Sequence, residues 1–214
     1  MTRRPRLLVA EDHVLFSQGL VAMIGDEYRI LAVVPDGADV AAAVRQHHPD
    51  VLLLDLSLPN RTGMDILGDL QTLDPTVRVV VVTMHVDPVL VDVAMRMGAA
   101  AFVPKDSDVD ELRTAITEVL AGRRYVSPRL PRRGQHGGAM DRMGFDRLTP
   151  RQQQIVRMIG QGRTTEDMAA ILGLSPHTVH FHRKNIRRLL GLDTDWAVLR
   201  YAILVGLSDS PADS

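Results

Sequence analysis

Cysteine is absent from this 214-residue chain, so no disulfide and no thiolate metal site is available to it. Lysine is nearly absent: of 25 Lys+Arg, only Lys105 and Lys184 are lysine. No hydrophobic run approaches the length of a membrane span. The opening "MTRRPRLLVAEDH" has a basic tip but too short an apolar stretch before its acids to form a signal-peptide core. The expectation is a cytoplasmic protein with no membrane partner. Hydrophobic residues at 45% and charged residues at 24% suit a soluble globular chain of two modest domains or one large one.

A net charge of −1 conceals a split. Residues 1–121 hold 10 Lys+Arg against 18 Asp+Glu, a net −8, whereas 122–145 carry +5, 146–207 carry +4 and 208–214 carry −2. An acidic front and a basic rear imply two units with different partners, the rear one suited to a polyanion.

In the front unit the apolar runs "RLLVA", "YRILAVV", "DVLLLD", "VRVVVVT" and "AAFVPK" alternate with amphipathic, helix-like stretches. Continuous Val, Leu and Ile runs are what strands buried on both faces require. Five strands alternating with five helices read as a doubly wound parallel sheet, which binds ligands beyond the carboxyl ends of its strands. Those ends carry Glu11 and Asp12, Asp55, Thr83 and Lys105. Three clustered carboxylates repel one another unless a cation sits among them, and an oxygen-only set points to Mg²⁺. A carboxylate also attacks phosphorus, giving an aspartyl phosphate whose charge a hydroxyl and a cation then neutralise. A compact ammonium on a flexible stem serves both states of such a site, where a wide guanidinium fits poorly.

With those residues in place, the front unit resembles the receiver domain of two-component response regulators. The matching pieces are "LLVAEDH", "DVLLLDLSLPNRTGMD", "VVVVTMH" and "AAFVPKD", covering residues 6–121, with Pro59 and Gly63 at the family's spacing from Asp55. The resemblance implies a flavodoxin-like (βα)5 fold with Asp55 as phosphoacceptor. It implies Mg²⁺ on Asp12, Asp55 and the Ser57 carbonyl, with Glu11 acting through a water. Thr83 and Lys105 then contact the phosphoryl group, and Phe102 is the aromatic whose inward swing reports phosphorylation. The Lys-Asp ending, without Lys-Pro, is the form of the NarL/FixJ branch.

Residues 122–147 are rich in Gly, Pro and Arg and lack an apolar period, which reads as a flexible basic linker. Its arginines are either simply solvated or attracted to phosphate. From Leu148 the helix signals are strong. Thr149, Pro150 and Gln152 form a capping box, "TTEDMAAILGLS" ends in Gly173, and "SPHTVHFHRKNIRRLLGL" opens on a Ser-Pro cap. The last helix, "DTDWAVLRYAILVGL", is largely apolar and either packs within its own domain or contacts a second copy.

Two helices joined by a tight turn form a helix-turn-helix, whose second helix enters the major groove. On that helix Val179, Ile186, Leu189 and Leu190 form the expected apolar face. Thr178, His180, Phe181, Arg183, Lys184, Arg187 and Arg188 are the expected DNA contacts. His177, His180 and His182 do not share one face and have no carboxylate beside them, so they do not read as a metal site.

Residues 148–207 resemble the LuxR-type DNA-binding domain, an all-α four-helix unit, with 208–214 left as a tail. The family usually has Glu at Gln152, Lys at His180 and a smaller residue at Phe181. A neutral His lacks a phosphate-binding charge, and a Phe packs on a thymine methyl or merely adds bulk.

The expected function is a transcription factor phosphorylated on Asp55 by a sensor histidine kinase, binding double-stranded DNA as a homodimer. An orphan regulator that works without phosphorylation is the alternative. A metal-dependent phosphohydrolase ranks below both, because "DLSLP" offers no second acid beside the nucleophile.

Overall fold

The computed structural model describes residues 3–74, 76–130, 142–192 and 194–204. They belong to two compact units, Met1–Pro131 and Arg132–Ser214. Linker residues 131–141 and the tail 208–214 lie outside the described residues.

In the first unit the strands are β1 (Arg6–Ala10), β2 (Arg29–Val34), β3 (Val51–Leu54), β4 (Arg78–Thr83), β5 (Ala101–Pro104) and β6 (Tyr125–Val126). Helices α1 (Val14–Ile24), α2 (Gly37–His47), α3 (Gly63–Leu73), α4 (Pro88–Arg96) and α5 (Val109–Leu120) connect the first five and follow the fifth. The sheet is parallel, in the order β2-β1-β3-β4-β5-β6. Helices on both faces bury the central strands: Leu7–Ala10, Val51–Leu54 and Val79–Val82 are all at most 5% exposed. At the sheet edge β2 departs from that pattern, with Val33 at 40% exposure. An edge strand has a neighbour on one side only, so its apolar run is covered less completely.

The strand order turns at β1, with β2 on one side and β3 on the other. That is the switch point of a doubly wound sheet, and it brings the carboxyl ends of β1 and β3 together. Local signals then start the helices: Thr62 Oγ1 accepts from Asp65 N at 3.2 Å to cap α3, and Asp108 accepts from Glu111 N at 2.7 Å to cap α5.

The sixth strand corrects the linker reading. Tyr125 and Val126, expected to be flexible, pair with Ala101 and Phe102 of β5. Ser127 N donates to the Phe102 carbonyl at 3.0 Å, and Ser127 and Leu130 are buried. The pairing arises from the open edge of β5, which a two-residue stretch satisfies without an apolar period.

The second unit begins with a 3-10 helix over Arg142–Arg147, also within the expected linker. Helices α6 (Pro150–Gly160), α7 (Thr165–Leu172), α8 (Pro176–Leu190) and α9 (Asp195–Leu204) follow. The capping box on α6 is formed, with Thr149 and Gln152 bonded reciprocally. Between α7 and α8 the chain turns at Gly173, whose φ of 64° places it in the left-handed region. The core gathers Ile155, Val156, Met168, Val179, Ile186, Val198 and Ala202. Val198, Leu199, Tyr201 and Ala202 of α9 are thus spent within their own unit.

Candidate functional site

At the carboxyl edge of the first sheet, Lys105 is the centre of the geometry. Its Nζ lies 2.8 Å from Asp55 Oδ2 and 2.6 Å from Glu11 Oε2, with all three side chains at most 5% exposed. The Phe16 ring lies beneath the ammonium, 4.8 Å from its centroid. Burial pulls the Lys105 ammonium down, but hydrogen bonds and attraction from Asp55 and Glu11 outweigh it, leaving the pKa above that of an ordinary lysine. Lys105 is brought there by β5, whose pairing with β4 lets Lys105 N donate to the Thr83 carbonyl at 3.0 Å.

Beside the lysine, one ligand atom from each of Glu11, Asp12, His13 and Asp55 lies within 4.8 Å of the others. Asp12 Oδ1 is shielded from solvent and accepts no hydrogen bond among the described residues, although His13 Nδ1 is 3.0 Å away. A shielded carboxylate oxygen among other carboxylates is a donor set that fits Mg²⁺, a hard cation preferring oxygen. The Asp55 Oδ1 atom accepts from Ser57 N at 3.2 Å, which folds the β3–α3 loop back over the carboxylate. Gly63 holds that loop close, for a Cβ there would meet the Asp55 carbonyl oxygen at 2.5 Å. Thr83 is fully buried at the end of β4, and Phe102 is fully buried in the middle of β5.

Two histidines join the site that the sequence reading passed over. His13 Nδ1 is 2.9 Å from Glu11 Oε1, and His85 Nε2 shares a 3.0 Å hydrogen bond with Ser57 Oγ. Burial holds the His85 imidazole below an ordinary histidine, against the pull of Asp55 and with the push of Lys105. The signal for His13 was its place directly after Glu11-Asp12. His85 follows Thr83 by two, but its link to Ser57 spans 28 residues and exists only in the fold.

In the second unit α8 follows the α7 turn and buries Val179, Arg183 and Ile186. Lys184, Arg188 and Phe181 are exposed, and Thr178, His180 and Arg187 are half-buried. Arg183 corrects the sequence reading. Only 6% exposed, it donates from Nη1 to Thr165 Oγ1 at 2.6 Å and pairs with Asp195 at 3.5 Å. It ties α8 to α7 and α9 and does not face a groove. Leu189, expected on the apolar face, is 43% exposed, because the buried arc is centred on 179, 183 and 186.

A family model described as "Response regulator receiver domain" matches residues 7–117. One described as "Bacterial regulatory proteins, luxR family" matches residues 146–202. The chain is 31% identical over 218 residues to the transcriptional regulatory protein MctR of Rhizobium johnstonii, covering 97% of this chain and 98% of that one. Among solved structures, it is similar to a LuxR-family two-component response regulator from Aurantimonas sp. SI85-9A1. The TM-score is 0.57 at 30% identity, over 59% of this chain and 91% of that one. RcsB, solved as two dimers bound to two parallel DNAs, has the same fold, with a TM-score of 0.59 at 19% identity over 95% of this chain and all of its own. A buried Asp–Lys–Glu cluster at the switch point, a basic helix after a tight turn and these matches lead to one conclusion: the chain belongs to the two-component response regulators that carry a receiver and a LuxR-type DNA-binding domain, a family of transcription factors and not of enzymes.

Proposed function

We propose that Asp55 accepts a phosphoryl group from a sensor histidine kinase, and that this controls how a dimer of the protein binds double-stranded DNA in the cytoplasm. The observation that carries the reading is the Lys105 ammonium held between Asp55 and Glu11. In the transfer a carboxylate oxygen of Asp55 attacks phosphorus while the bond from phosphorus to the donor's imidazole nitrogen breaks. The departing imidazole keeps the bonding pair. Asp12, Asp55 and the Ser57 carbonyl, with Glu11 close by, would hold Mg²⁺, which would supply charge neutralisation at the phosphoryl oxygens. Lys105 follows the new negative charge from the carboxylate to the phosphoryl group, and the Thr83 hydroxyl donates to a second oxygen.

Removing those partners from their resting bonds shifts the population of the β4–β5 face, with Phe102 as its buried lever. On α8, Lys184 and Arg188 meet base edges or phosphates, and Thr178, His180 and Arg187 line the groove walls beside Phe181. The dimers of RcsB on DNA support a paired arrangement here.

The test is incubation with a small phosphodonor and Mg²⁺, followed by intact-mass measurement of the wild type and Asp55→Ala. One phosphoryl adduct on the wild type, absent from the variant, is the expected result. No adduct on either protein, with Mg²⁺ bound, overturns the phosphorylation reading and favours a regulator that works without it.

A further inference from the structure

The DNA-binding reading of α8 leaves open whether Phe181 reads a base or merely adds bulk, and this inference rests on that reading. We propose that Phe181 reads the C5 methyl group of a thymine in the major groove, so that each half-site carries a thymine at the position Phe181 meets.

At 3.6 residues per turn, each residue of a helix advances by about 100°. Val179, Arg183 and Ile186, the buried residues of α8, therefore share an arc of about 60°. His177, Phe181, Lys184 and Arg188 are all exposed. They occupy an arc of similar width, of about 60°, on the opposite side. That second arc is what a groove meets when the first faces the core. Phe181, 60% exposed, lies at one edge of that arc, beside Arg188 around the helix and between His177 and Lys184 along it. His180 and Arg187 stand on the flank and are half-buried, Arg187 with its Nε 3.7 Å from Asp195.

A single exposed phenylalanine is unremarkable on most surfaces. Here it interrupts a stripe that otherwise carries charge or imidazole, and its ring lies edge-on to the His182 ring, 6.1 Å between centroids. The partner follows from the chemistry of the groove. Base edges there present donors and acceptors, which a phenyl ring can only desolvate, and one apolar group, the thymine methyl. Phe181 and Lys184 are about 4.5 Å apart along the helix axis, against about 3.4 Å between base pairs. A guanine for Lys184 is thus expected within two base pairs of the thymine.

The experiment uses the full chain with a small phosphodonor and Mg²⁺. Duplexes are enriched from a random pool, and each thymine of the enriched site is then replaced in turn by uracil, which removes the methyl and nothing else. One position is expected to weaken wild-type binding about fourfold, the effect of one buried carbon group. Phe181→Ala, an exposed substitution, should bind thymine and uracil duplexes equally, and Phe181→Leu should keep the uracil penalty. A specific site lacking thymine, or wild-type binding indifferent to uracil throughout, overturns the proposal and leaves DNA binding intact. Failure to enrich any duplex sinks the DNA-binding reading and this inference with it.

Discussion

Lys105 Nζ stands 2.8 Å from Asp55 Oδ2 across 50 residues of chain, and the same ammonium reaches Glu11, the residue after β1. One cation thereby joins the ends of β1, β3 and β5. Removing it leaves two buried carboxylates without their counter-charge.

Lys105→Ala is accordingly expected to lower stability by about 3–5 kcal/mol, the usual cost of breaking a buried ion pair from one side. Adding Mg²⁺ should return part of that loss, because a divalent cation neutralises the same oxygens. Urea unfolding with and without Mg²⁺ reads both effects. A variant as stable as the wild type without Mg²⁺ would show that the cluster contributes little to the resting fold.

Gly63 opens α3 where a Cβ would meet the Asp55 carbonyl oxygen at 2.5 Å and Leu56 Cα at 2.6 Å. Both obstacles are backbone, so the loop carrying the phosphoacceptor has to move. Gly63→Ala should cost about 1–3 kcal/mol, as overpacking does, and slow adduct formation on Asp55. Thermal unfolding together with the rate of the mass shift checks the pairing of the two effects; a normal rate in a destabilised protein would separate them.

Acid should act on the far end of the sheet. Burial alone would raise the Asp50 carboxyl, but hydrogen bonds to the Arg6 side chain and backbone and the charges of Arg6 and Arg3 hold it below an ordinary aspartate. Its stabilising contribution is thus complete above the ordinary aspartate value and disappears as pH falls through the lowered one. Asp50→Asn should be less stable than the wild type at neutral pH and converge with it in strong acid. Parallel stability curves would argue against the link.

Arg183 should behave as a tie within the helical unit. Arg183→Ala removes the bonds to Thr165 and Asp195 and is expected to destabilise that unit by about 3 kcal/mol, from the loss of a buried charge partner. Circular dichroism at 222 nm on heating reports it. Weakened DNA binding in a fully stable variant would restore Arg183 to the groove.

His180→Lys adds a charge on the flank of α8. If that flank meets phosphate, the slope of log affinity against log salt should steepen by about 0.9, one additional counterion released. An unchanged slope would place His180 away from the backbone.

Much of this architecture is legible in the chain because parallel strands must be apolar on both faces and must end where chemistry begins. Leu52–Leu54 followed by Asp55, and Val79–Val82 followed by Thr83, record both facts in consecutive residues. What escaped reading depends on partners distant in sequence. Arg183 looks like a surface cation until Asp195 and Thr165 close around it. His85 acquires its link only when the loops after β3 and β4 meet. Tyr125 and Val126 form a strand because β5 offers them an edge, a property of the neighbour and not of their own composition.

That borrowed strand also decides where the protein can be cut. A fragment ending at Ala121 would strip β5 of its outer neighbour, exposing unpaired backbone beside Phe102 and inviting sheet-to-sheet aggregation. A chimera that grafts this receiver onto another output domain therefore has to keep the chain through Leu130, which is buried and donates its backbone N–H to the Ser127 carbonyl.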